Sequence, residues 1–276
     1  MRKIRWSRGE TAVIEAGEGE PLLLVHGGLG DAFAWAPIFP HLAGSFHAIA
    51  VDLPGHGLAD SYEFKGEELL SLMSRFLREI TTALELRRTA VCGSSLGGLF
   101  SSRFAVDAPD LVSRLVVIGM PGGYKRGVPL PLRMLGLPVI GRPLGRLVMS
   151  KPTRAGNRKF WGQILVAHPE RIDDAVLDAD VASQVRNKGS QLSFITTVLN
   201  GRGLRPELIE GSQWDVITTP TLFVWGESDV YGSPEEGESL VARNPALRLA
   251  RVPDAGHLAW FDAPETVTKE IRAFLG

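Results

Sequence analysis

VCGSSLGG, at residues 91–98, sets two serines between glycines at the end of a short apolar run. Its central part, GSSLG, matches the pattern G-x-S-x-G with Ser95 as the middle serine, and a helical pattern follows at 96–109. A sharp turn from a strand into a helix exposes such a serine in a strained conformation, and glycines beside it keep side chains away from the backbone. We therefore predict Ser95 as a nucleophile, and we interpret Ser94 as a bystander and Cys92 as a small buried strand residue.

A serine hydroxyl needs a base within hydrogen-bond reach, and histidine suits that role near neutral pH. His257, in DAGHLAWF, lies in a loop after the last apolar run, where it can fold over the carboxyl edge of a sheet. We predict it as the base. His26 and His56 lie in glycine-rich turns and are expected to hydrogen-bond those loops. The remaining histidines carry no motif: His41, His47 and His168.

The predicted base needs a carboxylate that orients it and stabilises its charged form. Asp229 ends the run TLFVWGESD, so we predict it as that carboxylate, with Glu227 as the alternative. The chain order serine, acid, histidine is a known order for this constellation. A developing oxyanion also needs two backbone N–H donors, for which we predict Leu96, directly after the serine, and Gly28 in the turn HGGLG.

Six short apolar runs, each closed by Gly, Pro or Asp, indicate the fold class. Their apolarity is continuous rather than alternating, which is typical of strands buried on both faces of a parallel sheet. Helical patterns separate several of them, including an amphipathic segment at 66–86 and a closing helix at 264–275. We therefore predict an α/β protein with a doubly wound, mostly parallel sheet. The runs are 21–27, 47–55, 89–95, 115–123, 221–229 and 247–256.

The strand-like runs vanish between residues 123 and 214, where helical segments with Pro and Gly take over. We interpret 123–214 as an inserted helical cap, and residues 1–122 and 215–276 as one α/β core. A chain of 276 residues is long enough to bury such a core completely.

The composition excludes several classes of protein. Lys and Arg total 30 and Asp and Glu total 31, so no global field attracts nucleic acid. The N-terminus lacks the apolar stretch of a secretory signal, and no apolar run reaches the roughly 18 residues of a membrane span, so we expect a cytoplasmic protein. The single cysteine, Cys92, allows no intramolecular disulfide or cysteine zinc cluster, and no pattern indicates a metal ion or an organic cofactor.

Five motifs give the chain a resemblance to capped members of the α/β-hydrolase superfamily. They are HGGLG, DLPGHG, GSSLGG, WGESD and DAGH, in the superfamily's order. The resemblance implies the α/β-hydrolase fold and a catalytic triad of Ser95, His257 and Asp229. The other position at which such folds carry the acid is occupied here by MPGGYK, which has no carboxylate.

The resemblance also narrows the chemistry, because relatives that attack saturated carbon use an aspartate nucleophile, whereas serine with an oxyanion hole suits a carbonyl. We expect a serine hydrolase of a small, largely apolar carboxylic ester or lactone, with a small molecule as its partner. One alternative is a C–C bond hydrolase of a ring-fission product. Relatives of that kind often have Trp after the histidine, whereas Leu258 follows His257 here and Trp260 is close. Another alternative is a ligand receptor that retains the triad.

The predicted cap has an uneven charge distribution. Residues 111–169 contain ten Lys and Arg and no Asp or Glu, and 170–180 contain five Asp and Glu against one Arg. We favour charges that face each other or water. One alternative is a lid that contacts a lipid or membrane surface, since 130–149 is apolar with spaced arginines. A further alternative is an arginine that binds a substrate carboxylate.

Large aromatic residues are candidates for the wall of an apolar pocket. We predict Trp35, Trp161 and Trp260 as pocket residues, with Trp214 as a further candidate. Trp225 lies inside a strand run, so we place it in the core.

Overall fold

The computed structural model of the chain describes residues 1–65, 68–119, 128–137, 139–209 and 212–276. Within these ranges an eight-stranded sheet forms the centre of the fold, and a separate two-stranded ribbon is formed by β7 and β8. The strands are β1 (Arg2–Trp6), β2 (Gly9–Ala16), β3 (Pro21–Val25), β4 (His47–Val51), β5 (Thr89–Ser94), β6 (Val112–Ile118), β7 (Leu199–Asn200), β8 (Gly203–Leu204), β9 (Thr221–Gly226) and β10 (Leu247–Val252).

The strand order in the large sheet is β1-β2-β4-β3-β5-β6-β9-β10. The six strands from β4 to β10 in this order are parallel, and β2 pairs antiparallel with both β1 and β4. The predicted fold class is therefore confirmed, and the six apolar runs are the six parallel strands. The hairpin β1–β2 was not predicted, because β1 lies at the sheet edge and alternates between exposed and buried positions near its end.

The helices are α1 (Phe39–Ala43), α2 (Leu69–Ala83), α3 (Leu96–Asp107), α4 (Leu130–Leu135), α5 (Gly141–Val148), α6 (Arg154–Ile164), α7 (Asp174–Val198), α8 (Ser212–Val216), α9 (Pro234–Val241), α10 (Ala259–Asp262) and α11 (Pro264–Leu275). The helix predicted at 66–86 forms as α2, and the closing helix forms as α11. In the described ranges, none of these helices is both long enough and apolar enough to cross a membrane.

Successive side chains of the central strands enter two apolar layers, one on each face of the sheet. Leu23 and Val25 of β3 pack in the layer that contains the buried faces of α2 and α3. Leu22 and Leu24 pack in the opposite layer, which contains residues of α10 and α11. Burial on both faces explains the continuous apolar runs. It also holds the carboxyl ends of the strands, where the site lies, in fixed positions.

The segment between β6 and β9 contains α4 to α8 and the ribbon of β7 and β8. The predicted cap boundary at 122/123 lies outside the described residues. The boundary at 214/215 cuts through α8, whose Trp214 packs edge-on against Phe223 of β9 at 5.1 Å between ring centroids. Gln213 of the same helix donates to the Ser102 hydroxyl of α3 at 2.9 Å. We therefore assign the whole of α8 to the core.

Helix α7 joins the predicted cap segment, the described residues between β6 and α8, to loops of the core. The Ser190 hydroxyl accepts the Tyr62 N–H at 2.9 Å, and the Asn187 side chain donates to the Gly57 carbonyl oxygen at 2.7 Å. Gly57 belongs to the DLPGHG loop that follows β4. Polar bonds of this kind fix α7 over the carboxyl edge of the sheet.

Candidate active site

Ser95 lies at the turn between β5 and α3, in a backbone conformation that residues other than glycine rarely adopt. Its φ is 51° and its ψ is −121°, and its N–H donates to the Ile118 carbonyl oxygen at 3.1 Å. A Cβ atom on Gly93 would lie 2.6 Å from the Gly97 oxygen, and one on Gly97 would collide with the His26 carbonyl oxygen. Both glycines of the motif are thus required by close backbone approach, and the packing around them maintains the strained serine.

A cavity of about 170 Å³ lies at this turn, between the carboxyl ends of the strands and the cap segment. Ser94, Ser95 and His257 line it on the core side. The cap side is largely apolar and includes Val128, Leu132, Phe160, Ile164, Phe194 and Val198. The predicted nucleophile and the predicted base therefore line the same, largely apolar cavity.

His257 and Asp229 form a buried hydrogen-bonded pair, with 2.8 Å between Nδ1 and Oδ2. The other carboxylate oxygen of Asp229 accepts the Tyr231 N–H at 2.9 Å. Since Nδ1–H is donated to Asp229, the lone pair of the neutral ring is on Nε2, the nitrogen that can accept a proton. Glu227, the alternative acid, is exposed and accepts a bond from Arg251 at 3.1 Å instead.

Asp262 holds the loop that carries His257. Its Oδ2 accepts the Gly256 N–H at 2.8 Å. The same carboxylate accepts the N–H groups of Ala167 and His168, just after α6, at 3.0 and 2.8 Å. One buried carboxylate therefore joins the histidine loop to the cap segment, so the position of the predicted base depends on both.

The two predicted oxyanion donors lie next to each other at the cavity. A Cβ atom on Gly28 would lie 2.8 Å from Cδ1 of Leu96, and both residues line the cavity. Leu96 opens α3, and the first N–H groups of a helix have no acceptor within the helix. Among the described residues, neither the Gly28 nor the Leu96 N–H donates to a protein acceptor. Both N–H groups are therefore available to a ligand oxygen.

His26 hydrogen-bonds the turn that carries Gly28, as expected from its glycine-rich surroundings. Its Nε2 accepts the Leu53 N–H at 2.9 Å, and its Nδ1 is 2.8 Å from the Gly27 carbonyl oxygen, to which it donates. Burial, and to a smaller degree the neighbouring His56, lower the pKa of His26 to about 3. The ring is therefore neutral near pH 7 and joins two loops of the core.

Two of the three predicted pocket tryptophans line the cavity, namely Trp161 of α6 and Trp260 of α10. Trp35, the third, does not line this cavity. Its ring is fully buried and stacks behind Trp260, with 4.7 Å between centroids and 16° between planes. Trp214, the further candidate, is buried in the core as described above. Trp35 thus supports the cavity wall without forming it.

Asp180, Gln184 and Tyr231 also line the cavity and were not predicted. Asp180 is buried on α7, and its Oδ2 accepts bonds from Asn157 at 2.8 Å, Trp161 at 3.1 Å and Gln184 at 3.2 Å. Burial, followed by the negative charge of Asp31, raises the pKa of Asp180 to about 7. The available signal was the helical period, which places Asp180 on the face of α7 opposite Asp178.

Two groups of arginines in the predicted cap have different surroundings. Arg154 of α6 pairs with Asp174 and Asp178 of α7, each at 2.6 Å, and Arg158 pairs with Asp174 at 2.6 Å. These charges face each other, as expected. The second group, on α4 and α5, is exposed: Arg133, Arg142 and Arg146.

No Lys or Arg of the described residues lines the cavity. The expectation of an arginine that binds a substrate carboxylate therefore finds no support in that part of the chain. Two basic residues included in that expectation, Lys125 and Arg126, lie outside the described residues.

The chain matches the model of a family described as the alpha/beta hydrolase family over residues 22–270. It is similar to a 2-hydroxy-6-oxo-6-phenylhexa-2,4-dienoate hydrolase of Burkholderia cepacia, with 25% identity over 271 residues that cover 95% of this chain and 89% of that protein.

Two solved structures show the same fold at lower identity. A carboxylesterase from Bacillus subtilis superposes with a TM-score of 0.75 at 21% identity, over 99% of this chain and 90% of that chain. A meta-cleavage product hydrolase from Pseudomonas fluorescens superposes with a TM-score of 0.79 at 19% identity, over 100% and 97%. Since the family model spans most of the sequence and the sheet has the matching architecture, the chain belongs to the alpha/beta hydrolase family.

Proposed function

We propose that the protein is a serine hydrolase that cleaves a small, largely apolar carboxylic ester or lactone through an acyl-enzyme. One observation carries the proposal. Ser95, His257, Gly28 and Leu96 all line one largely apolar cavity, and Asp229 accepts a hydrogen bond from the His257 ring. A nucleophile, a base with its orienting acid, and an oxyanion site are the parts that acyl transfer requires.

The proposed mechanism begins with attack of the Ser95 Oγ on the substrate carbonyl carbon, while Nε2 of His257 takes the hydroxyl proton. Asp229 accepts a hydrogen bond from Nδ1–H and stabilises the imidazolium. The N–H groups of Gly28 and Leu96 bind the oxyanion of the tetrahedral intermediate. As the intermediate collapses, the imidazolium protonates the leaving alcohol. Water, deprotonated by His257, then attacks the acyl-enzyme and releases the acid and Ser95.

The cavity walls support a neutral substrate. The volume of about 170 Å³ suits a small acyl or alcohol group, and the cap side is mostly aliphatic and aromatic. Burial of apolar substrate surface contributes about 25 cal/mol per Å², so such walls favour alkyl or aryl groups.

Hydrolysis of a C–C bond is the second candidate, because the Burkholderia cepacia relative is a hydrolase of a dienoate. A dienoate carries a carboxylate. The cavity described here is lined by Asp180 and by no Lys or Arg of the described residues. The carboxylate of an acidic substrate would therefore lie near the carboxyl group of Asp180, and no cationic side chain of the described residues would pair with it. This favours a neutral ester or lactone as the substrate.

The test is a panel of neutral esters and lactones of increasing chain length, assayed beside a 2-hydroxy-6-oxodienoate with purified protein. We expect turnover of short neutral esters, and a loss of about 10⁶-fold in kcat for Ser95→Ala, as for serine nucleophiles elsewhere. Ser94→Ala, at the neighbouring cavity serine, is the matched control and retains most of the activity.

Faster turnover of the dienoate than of every ester would move the assignment to C–C hydrolysis. Ester turnover that survives in Ser95→Ala would reject the nucleophile. Absence of turnover on the whole panel, with intact folding, would favour a receptor.

A further inference from the structure

The cap wall of the cavity contains one acidic side chain in otherwise apolar surroundings. We propose that Asp180, together with Gln184 one turn later on α7, forms a subsite that binds a hydrogen-bond donor of the substrate, a hydroxyl or an ammonium group. The inference rests on the proposed function, since it names the class of substrate that the ester hydrolase prefers. Ser95 lies on the core side of the cavity and Asp180 on the cap side, so the donor belongs to a part of the substrate away from the reacting carbonyl.

The two carboxyl oxygens of Asp180 have different surroundings. Asn157, Trp161 and Gln184 all donate to Oδ2. No donor among the described residues is bonded to Oδ1, although the residue is only 7% exposed and lines the cavity. Buried polar atoms normally have partners, and a free carboxyl oxygen in a ligand cavity is an acceptor site. Oδ1 is therefore the oxygen available to a substrate donor.

The bonds to Oδ2 have a structural purpose, because they join α6 to α7. This structural role accounts for the presence of Oδ2 alone, because the oxygen of an amide or a hydroxyl at position 180 would accept bonds from the same donors. It does not explain a carboxyl group that has no cationic partner among the described residues. The charge that acts on it is that of another carboxylate, Asp31 in the turn before the 3₁₀ helix Ala32–Trp35.

The electrostatics agree with this geometry. Burial and the Asp31 charge raise the pKa of Asp180 to about 7, so the three hydrogen bonds to Oδ2 only partly compensate the ionised form. A substrate ammonium or hydroxyl at Oδ1 would supply that compensation. A substrate carboxylate would add a third negative group beside Asp31 and Asp180, so the same subsite rejects acidic substrates.

Gln184 completes the subsite. Its Nε2 donates to Oδ2 of Asp180, and its side chain lines the cavity. The bond helps to hold the carboxyl group in one orientation, and the amide oxygen of Gln184 is a second acceptor on a residue that lines the cavity.

The test uses matched esters that differ only in one terminal group, which is methyl, hydroxyl, ammonium or carboxylate, placed in one series on the acyl chain and in another on the alcohol. In one of these series, we expect wild-type protein to prefer the hydroxyl or the ammonium member over the methyl member in kcat/KM, and to turn over the carboxylate member most slowly. A greater advantage for ammonium identifies an ion pair, and equal advantages identify a neutral hydrogen bond.

Asp180→Asn is the informative variant, because its amide oxygen can still accept the bonds from Asn157 and Trp161 while its NH₂ group replaces Oδ1. We expect the ratio of kcat/KM for the donor member to that for the methyl member to fall by about 10- to 100-fold, the range for a hydrogen bond to a charged group. Asp178→Asn is the matched control on the exposed face of the same helix, and it leaves the ratio unchanged.

A binding measurement separates this inference from the proposed function. Tm shifts with n-hexylamine, n-hexanol and hexanoate need no turnover. We expect larger stabilisation by the amine and the alcohol than by hexanoate, reduced in Asp180→Asn and kept in Asp178→Asn. Equal shifts in wild type and Asp180→Asn, or an unchanged kcat/KM ratio, would show that Asp180 only joins the helices. Failure of ester turnover with the binding preference intact would reject the function and keep the subsite.

Discussion

The two walls of the cavity are built in different ways. The core wall consists of turns at the carboxyl ends of strands, where close backbone approach dictates residue type, as at Gly93 and Gly97. The cap wall consists of helices, whose side chains reach the cavity from regular backbone and can change without disturbing it. Asp180 and Trp161 are examples, since each lies within an ordinary stretch of helix.

Because of this difference, we expect the two walls to have different roles, one in the reaction and the other in the choice of substrate. The proposed reaction depends on the core wall, where Ser95 and His257 are fixed by a strained turn and a held loop. The proposed preference among substrates depends on the cap wall. Substitutions on the core side are therefore expected to change kcat, and those on the cap side to change the ranking of substrates.

After Ser95→Ala, the largest expected effect is that of Asp229→Asn, which also tests the core wall. Asp229→Asn removes the carboxylate that orients His257, so the imidazole adopts the wrong tautomer and kcat falls by about 10⁴-fold with folding intact. Glu227→Gln is the matched control, because Glu227 is exposed and bonded to Arg251. Steady-state kinetics of both variants show whether Asp229 or Glu227 is the acid that orients His257. Near-normal activity in Asp229→Asn with a large loss in Glu227→Gln would move the acid to Glu227.

A second prediction distinguishes a residue that supports the cavity wall, Trp35, from one that forms it, Trp161. Trp35→Ala removes a fully buried ring that stacks behind Trp260, so we expect the free energy of unfolding to fall by about 3–5 kcal/mol. Trp161→Ala, at the cavity surface, is expected to change KM and the chain-length preference more than Trp35→Ala does. Denaturant unfolding and the ester panel measure these quantities. Unchanged stability with a raised KM in Trp35→Ala would return Trp35 to the cavity wall.

A third prediction concerns pH and the cap wall. The pKa of Asp180 is raised to about 7, against an ordinary value near 4 in the unfolded chain. The folded state therefore binds this proton more tightly, and ionisation destabilises it as the pH rises from about 4 to about 7, with the full cost above that range. Asp180→Asn carries no such charge, so its stability relative to wild type should increase across this range and then level off. Unfolding curves at about pH 5 and about pH 8 provide the check, and a constant difference between the proteins would contradict the prediction.

The smallest expected effect concerns the outer surface of the cap. Arg154 bridges two carboxylates of α7, whereas Arg142 is exposed and has no carboxylate partner among the described residues. We expect Arg154→Ala to lower Tm slightly and Arg142→Ala to leave it unchanged, because exposed ion pairs contribute little. Neither variant should change the ratio of activities on matched neutral and acidic esters. A selective loss on the acidic ester would identify an arginine that binds substrate.

Sequence patterns predicted the central sheet because strands that are buried on both faces are continuously apolar, which the sequence shows directly. They missed the edge strand β1 and its neighbour β2, since both strands are partly exposed and lack a continuous apolar run. The core side of the site was predictable for a related reason. The steric limit at Gly93 comes from Gly97 in the same turn, whereas that at Gly97 comes from the His26 carbonyl oxygen, but both glycines lie within one short motif that the sequence shows.

The cap side was less predictable because its residue types follow from contacts distant in sequence. Asp180 ends a run of acidic residues that resembles a solvated surface, and Asp174 and Asp178 do lie at the surface with Arg154. The helical turn places Asp180 inward, where Asn157 and Trp161 of another helix meet it. The charge pattern of one segment does not show which residues of another helix will contact it.

The most direct test of the central claim is peptide mapping by mass spectrometry after reaction with a fluorophosphonate, which labels a serine activated by a base. We expect one phosphonylated serine, Ser95, and no label after denaturation or in His257→Ala. Label on Ser94, which lines the same cavity, or label that persists in Ser95→Ala, would contradict the assignment of Ser95 as the nucleophile.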